Sequence, residues 1–303
     1  MPNSSADSKP NSATNSAPNF ASDFTSEFES DSIQSSDSDR LSSRSRSTLS
    51  PKRARIVRSL RYLFGKSGGI SYHITAMRFR RRWAPFLRHV EGWLNAWPTP
   101  QNELIIFGAS AGWTLPAHFL ARFERVIVIE PDPAARFLLR WRFPKVQKWV
   151  FHDEISLLPW LVSSQSNQLK KFLDQYPNAA VLFSNLLGQI PLVWPRELSP
   201  AEWSRCNSIF IDALKQRNWA SYHDLLSAIS RPTEPFEKIV WRAGESLVEL
   251  GARVWSVREK QIVVADHGMD WLKSTEVAIW HLRPKTYHLI GFVNSMIEIT
   301  SHN

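Results

Sequence analysis

Gly108, Ser110 and Gly112, in the stretch LIIFGASAGWTLP from Leu104 to Pro116, are spaced as G-x-S-x-G. That spacing serves two incompatible chemistries. In a nucleophile elbow, a sharp strand-to-helix turn exposes Ser110 to attack an acyl carbon. In a cofactor turn, Gly108, Ala109, Ser110 and Gly112 keep side-chain bulk away while backbone amides approach a nucleotide-like ligand. Glu130 bears on the choice, because it ends the run VIVIE 22 positions after Gly108. A carboxylate at that strand tip can accept hydrogen bonds from both hydroxyls of a ribose, close to the spacing of about 20 residues expected of dinucleotide-type folds. The alternative role for Glu130 is to favour the start of the following helix in PDPAARF.

Proton-transfer chemistry has fewer candidates. His267 and Asp266 in VVADHG are expected at or beside a strand end, and His223 and Asp224 in NWASYHDLLS form a second pair, with Tyr222 adjacent. Each can serve as a base or simply tie down a loop backbone. His281 and His288 alternate within a strand pair and read as strand residues. For the acyl-transfer reading, Asp153 or Asp266 followed by His267 or His288 has the required chain order, but nine histidines make such orders easy to find. A nucleophile elbow also needs several earlier strands and an oxyanion-hole loop, whereas only KSGG and a basic helical stretch precede Leu104. No Cys/His cluster has metal-ligand spacing, and Cys206, the one cysteine, reads as a small buried hydrophobe in a reducing setting.

The elements that would hold these residues alternate. Strands are expected at ELIIFG, RVIVIE, VQKWVF and AVLFSN, with helices at LPAHFLARF and PAARFLLRWRF between them. Alternation of this kind predicts βαβ units and a mostly parallel sheet covered on both faces. SPAEWSRCNSIFIDALKQR reads as a helix capped by its serine. QIVVADHG reads as a fifth parallel strand. EVAIWHL and TYHLIGFV, joined by RPK, read as an antiparallel hairpin that closes the sheet.

Upstream the character differs. Residues 1–50 contain 17 Ser and too little apolar surface to offset the entropy of ordering, which predicts a disordered tail. Phe20, Phe24 and Phe28 in it are four apart and could line a short helix formed on a protein partner. Residues 51–98 read as a basic helical segment, with Phe79, Trp83, Phe86, Leu87, Val90, Trp93, Leu94 and Trp97 at helical spacing and Pro85 starting or kinking a helix. Net charge is +9, but residues 51–92 alone hold 11 Lys/Arg and one acid, so any polyanion contact belongs to that segment rather than to the main domain. Arg78, Arg80, Arg81 and Arg82 are most simply a solvated face. No apolar run is long enough to span a bilayer, and a soluble cytoplasmic protein is expected.

From about residue 100 to 295 the chain resembles the class I S-adenosylmethionine-dependent methyltransferases. The resemblance rests on FGASAG as the glycine-rich first motif, Glu130 at the second strand's end, FHDEIS after the third strand, LFSNLLGQIPL at the fourth, and the terminal hairpin. It implies S-adenosylmethionine as cofactor: Gly108, Ala109, Ser110 and Gly112 around the methionine part, Glu130 on the ribose, Asp153 near the adenine, and Ser184 and Asn185 bordering the transferable methyl. Trp113 would stack in that pocket or the acceptor's. Two positions depart from the family pattern, Ile106 standing where an acid is usual and Ser110 where the middle glycine is. The fourth motif also lacks the Asn/Asp-Pro-Pro-aromatic form of enzymes that methylate nucleobase or glutamine nitrogens, so the acceptor is undefined. The expected architecture is a Rossmann-like doubly wound α/β domain over residues 99–303, with His267, Asp266 and His223 as candidate catalytic residues. The competing functions are a noncatalytic Rossmann-like scaffold and a serine hydrolase using Ser110.

Overall fold

The computed structural model describes residues 69–153, 157, 160, 167–190, 199–236, 239–256, 264–269, 271–274 and 276–295. The expected tail (1–50), the first part of the basic segment and the end of FHDEIS lie outside them.

Five strands follow the βα rhythm: β1 (Glu103–Phe107), β2 (Arg125–Ile129), β3 (Lys148–His152), β4 (Ala179–Ser184) and β5 (Trp219–Ala228). They are mutually parallel in the order β3-β2-β1-β4-β5. β6 (Val264–Asp266), β7 (Glu276–Arg283) and β8 (Thr286–Asn294) complete the sheet. β8 runs antiparallel between β5 and β7. Strand β1 therefore has β2 on one side and β4 on the other, and the chain reverses its direction of travel across the sheet at this point, where open α/β sheets leave a crevice at the strands' carboxyl ends.

The strands read as apolar runs because both faces are covered. Leu104, Ile106, Val126, Val128, Ala180 and Leu182 point to one face, while Ile105, Phe107, Ile127, Ile129, Val181 and Phe183 point to the other. Successive side chains alternate across a strand, so an unbroken run supplies both. The first face is covered by α1 (Ile70–Phe79), α2 (Ala84–Ala96), the single turn α3 (Ala117–Leu120) and α4 (Pro133–Arg142). The second is covered by α5 (Gln168–Leu173), α6 (Pro200–Leu214) and α7 (Leu247–Trp255). Helix α6 starts where the serine predicts: Ser199 and Glu202 form a reciprocal capping box.

Pro85 lies in the first turn of α2 and begins a fresh helix after α1. Phe86, Val90, Trp93 and Leu94 are its buried stripe. Phe86 stacks on Trp280, Trp93 meets Phe292 edge-on, and Trp83 Nε1 donates to the Leu282 carbonyl at 2.8 Å. The described part of the basic segment thus lays its apolar face on β7 and β8, and Arg78, Arg80, Arg81 and Arg82 remain exposed.

Three elements differ from the sequence reading. The fifth parallel strand is β5, whose sequence WASYHDLLSA carries five polar or ionisable side chains and lacks a strand's apolar signature. QIVVADHG supplies instead the three-residue β6, which pairs antiparallel with Leu226 to Ala228 of β5. It continues on β4's side of β5, past the end of β4, and so stands beside the carboxyl edge. LPAHFLARF forms only one helical turn. Among the described residues no helix is long and apolar enough to cross a membrane.

Candidate functional site

The turn after β1 is built from left-handed backbone. Gly108, Ser110, Ala111 and Gly112 have φ of 74, 40, 60 and 63°, a conformation costly for all but glycine. Gly108 is also crowded: a Cβ there would lie 3.0 Å from the Ser184 carbonyl oxygen and 2.9 Å from Leu186 Cβ. The first turn and the end of β4 are therefore in contact across the switch point.

Glu130 extends from the tip of β2 under this turn and is 7% exposed. Its Oε2 accepts the Ser110 amide at 2.8 Å and its Oε1 accepts the Asp132 amide at 3.1 Å. Burial pushes its carboxyl up to about 7, against the lowering effect of those two amides. Each oxygen keeps a second lone pair for a further donor. Glu130 therefore does not cap α4. Asp132 does, accepting the Ala134 amide at 2.8 Å.

A buried relay backs the turn. Trp113 Nε1 donates to His73 Nδ1 at 2.9 Å, and His73 Nε2 lies 3.1 Å from Asp132 Oδ2. An indole only donates, so the His73 proton sits on Nε2 and points at Asp132. Burial works against the Asp132 charge, but the hydrogen bonds from His73 and Ala134 prevail and hold its carboxyl below the usual range. The Arg142 guanidinium lies 4.1 Å over the Trp113 ring and donates to the Ala111 carbonyl. Trp113 is thus engaged in the wall of the turn. Gly112 serves packing as well, because a Cβ there would overlap the Phe143 ring. Ala109, Ala111 and Gly112 are buried, leaving Gly108 and Ser110 as the half-open part of the corner.

Asp153 follows β3 and meets Arg136 Nη2 at 3.5 Å, while Nη1 of the same arginine donates to the Glu130 carbonyl at 2.8 Å. One guanidinium so links the ends of β2 and β3. Asp153 also lines a cleft of about 390 Å³ with Pro133, Arg136, Phe137, Arg140 and Phe151.

On the far side of the switch point, the Ser184 hydroxyl makes a short hydrogen bond with the Tyr222 hydroxyl, which also bonds Thr114 at 2.7 Å. Burial pushes the Tyr222 phenol up to about 12. Asn185 is left-handed (φ 49°) and its amide donates to the Tyr222 carbonyl. Its side-chain amide bonds the Asp224 carboxylate, while its Oδ1 is buried with no hydrogen-bond partner among the described residues.

The candidate bases separate sharply. Asp266 is exposed and accepts the Gly268 amide in a turn. His267 is buried with both nitrogens engaged, Nδ1 with the Gly188 carbonyl at 2.9 Å and Nε2 with Ser227 Oγ at 3.1 Å. His223 is fully buried, its Nδ1 bonded to Ser221 Oγ and its pKa driven down to about 3 chiefly by burial. Asp224 pairs not with its neighbour His223 but with His288, whose Nδ1 is 2.8 Å from Oδ1. The sequence reading passed over that pair, and the only signal for it was a run of polar residues at inward strand positions. Among the described residues no histidine bonds Ser110, as acyl transfer would require, and no group of three or more His, Cys, Asp or Glu could hold a metal.

The structure thus gathers Gly108, Ser110, Glu130, Ser184 and Asn185 on one sheet edge, with Asp153 reached through Arg136. No family model matches the chain, and no curated protein matches it. Among solved structures, it is similar to the N-methyltransferase NodS from Bradyrhizobium japonicum in complex with S-adenosyl-L-homocysteine, at 11% identity over 80% of this chain and 98% of that one, TM-score 0.40. It is also similar to a DhpI complex with the same ligand, at 11% identity over 80% and 98%, TM-score 0.32. A third is an S-adenosylmethionine-dependent methyltransferase from Anabaena variabilis, at 12% identity over 72% and 95%, TM-score 0.35.

Proposed function

We propose that the chain binds S-adenosylmethionine over the carboxyl edge of β1, β2 and β4 and transfers its methyl group to an acceptor. The observation that carries this reading is Glu130: a buried carboxylate at the tip of β2, fixed by the Ser110 amide and retaining a free lone pair on each oxygen. Two vicinal hydroxyls are the ligand groups that such an acceptor suits. The unpartnered Asn185 Oδ1 supports the fit from the other side of the switch point. Gly108 and Ser110 would face the methionine part and Asp153 the adenine. The cofactor supplies a methyl carbon already activated by its sulfonium, so the chain's task is to hold the acceptor in line and exclude water. A cytoplasmic setting agrees with the single, buried Cys206. A polyanion contact through the exposed arginines and a protein contact through the tail are separate proposals, carried by composition alone.

Isothermal titration of the full chain with S-adenosylmethionine and with S-adenosylhomocysteine tests the reading. Both should bind, and Glu130→Ala should weaken binding by roughly 10- to 100-fold, the loss of one or two hydrogen bonds to a charged group. Absence of binding by the unaltered chain would remove the reading. A second reading keeps the ligand without the transfer, and Ile106 favours it: where the family has an acid, this chain has a side chain fully buried in the apolar layer. Labelled methyl transfer to any component of a host extract would exclude that version.

A further inference from the structure

Asp224 is 2% exposed and lies inside β5, where a lone charge would be costly. It has specific partners instead. The Asn185 amide and His288 Nδ1 both bond its carboxylate, and Gly188 has no room for a Cβ because the Asp224 backbone fills that space. The loop Asn185–Gly188 leaves β4 at the switch point, and its neighbour Ser184 touches Gly108. The Asp224–His288 pair is therefore joined to the proposed cofactor corner through one residue, Asn185.

The pair has a defined proton arrangement. Burial opposes the Asp224 charge, but His288, His267 and the Asn185 amide prevail and keep the carboxyl below its ordinary value. An ionised Asp224 fixes the proton of neutral His288 on Nδ1, which makes Nε2 the basic nitrogen. Nε2 has no hydrogen-bond partner among the described residues, and the side chain keeps 15% exposure. The neighbouring histidines lack this combination. Both nitrogens of His267 are occupied, and His223 is sealed in the core.

We propose that His288, oriented by Asp224, is the general base that takes the proton of the methyl acceptor. The inference rests on the methyl-transfer reading above and adds to it the acceptor class, an O–H or N–H group that must lose a proton. The acceptor's O–H or N–H bond breaks and its proton goes to Nε2, giving an imidazolium that Asp224 stabilises. The acceptor's lone pair forms the new bond to the methyl carbon, the carbon–sulfur bond breaks, and its electron pair stays on sulfur. The imidazolium then returns its proton to water. Asp224 is a positioning residue here, acting only through His288.

Acylation by diethyl pyrocarbonate, read for each histidine by peptide mass spectrometry on the full chain, tests the proposal. His288 should react roughly tenfold faster than His267 or His223, whose nitrogens are engaged or sealed. Saturating S-adenosylhomocysteine should slow His288 several-fold without slowing the exposed His118. Asp224→Asn should slow His288 as well, because an amide can hold the wrong tautomer. Should that variant not fold, protection of His288 by S-adenosylhomocysteine in the unaltered chain is the deciding measurement. Binding of S-adenosylhomocysteine by calorimetry without protection of His288 would overturn this assignment and leave the cofactor reading standing. No binding at all would remove both.

Discussion

The Ser110 amide donates a 2.8 Å hydrogen bond to Oε2 of Glu130, tying the turn after β1 to the tip of β2. The bond explains how a non-glycine residue is held at φ 40°, and why a buried acid is tolerated at this edge.

Glu130 should make stability fall as pH rises. Its folded pKa of about 7 lies above its ordinary 4.5, mainly through burial, so the favourable contribution is complete below 4.5 and is lost as pH climbs to 7. Between pH 4.5 and 8 the unaltered chain should lose about 3 kcal/mol relative to Glu130→Gln, since each pH unit separating the folded from the ordinary pKa is worth about 1.4 kcal/mol. Urea unfolding of both proteins at the two pH values measures it. A pH-independent difference would mean that Glu130 is ordinary in the fold.

His223 should act in the opposite direction. Its folded pKa of about 3, set chiefly by burial, lies below its ordinary 6.5, so the unfolded chain takes up a proton that the folded chain refuses. From pH 6.5 to 5 the unaltered chain should lose about 2 kcal/mol relative to His223→Asn, in which the amide can still reach Ser221. Urea midpoints at pH 7, 6 and 5 give the slope.

Two glycines should respond to alanine with opposite sign. At Gly112 the backbone is left-handed and a Cβ would overlap the Phe143 ring, so Gly112→Ala should cost about 2–4 kcal/mol. Gly92 lies within α2 with open space around its Cβ position, and Gly92→Ala should stabilise by up to about 1 kcal/mol. Thermal melts of the two variants suffice.

A chain beginning at residue 99 should not fold. It would lack Trp83, Phe86 and Trp93, which cover Trp280 and Phe292, and would bare that layer of the core. Trp83→Ala alone should cost about 3–5 kcal/mol, since the indole is fully buried and its N–H holds the Leu282 carbonyl. Near-ultraviolet dichroism of the truncated chain and urea unfolding of the variant are the measurements. A native-like spectrum from residue 99 onward would make the basic helices an appendage.

Local sequence sufficed wherever structure is decided by neighbours in the chain. The unbroken runs of β1, β2 and β4 announce strands buried on both faces, the short RPK announces the β7–β8 hairpin, Ser199 announces the start of α6, and the spacing from Gly108 to Glu130 announces their meeting at one edge. Tertiary structure alone decided the rest. Ser221, His223 and Asp224 look like loop residues because their partners cannot be read nearby. Asn185 and His288, which make the buried Asp224 tolerable, lie 39 and 64 positions from it. The direction of β6 likewise depends on which edge of β5 is left vacant beyond the end of β4. A buried polar group is stable only when something distant satisfies it, and composition does not record which distant group that will be.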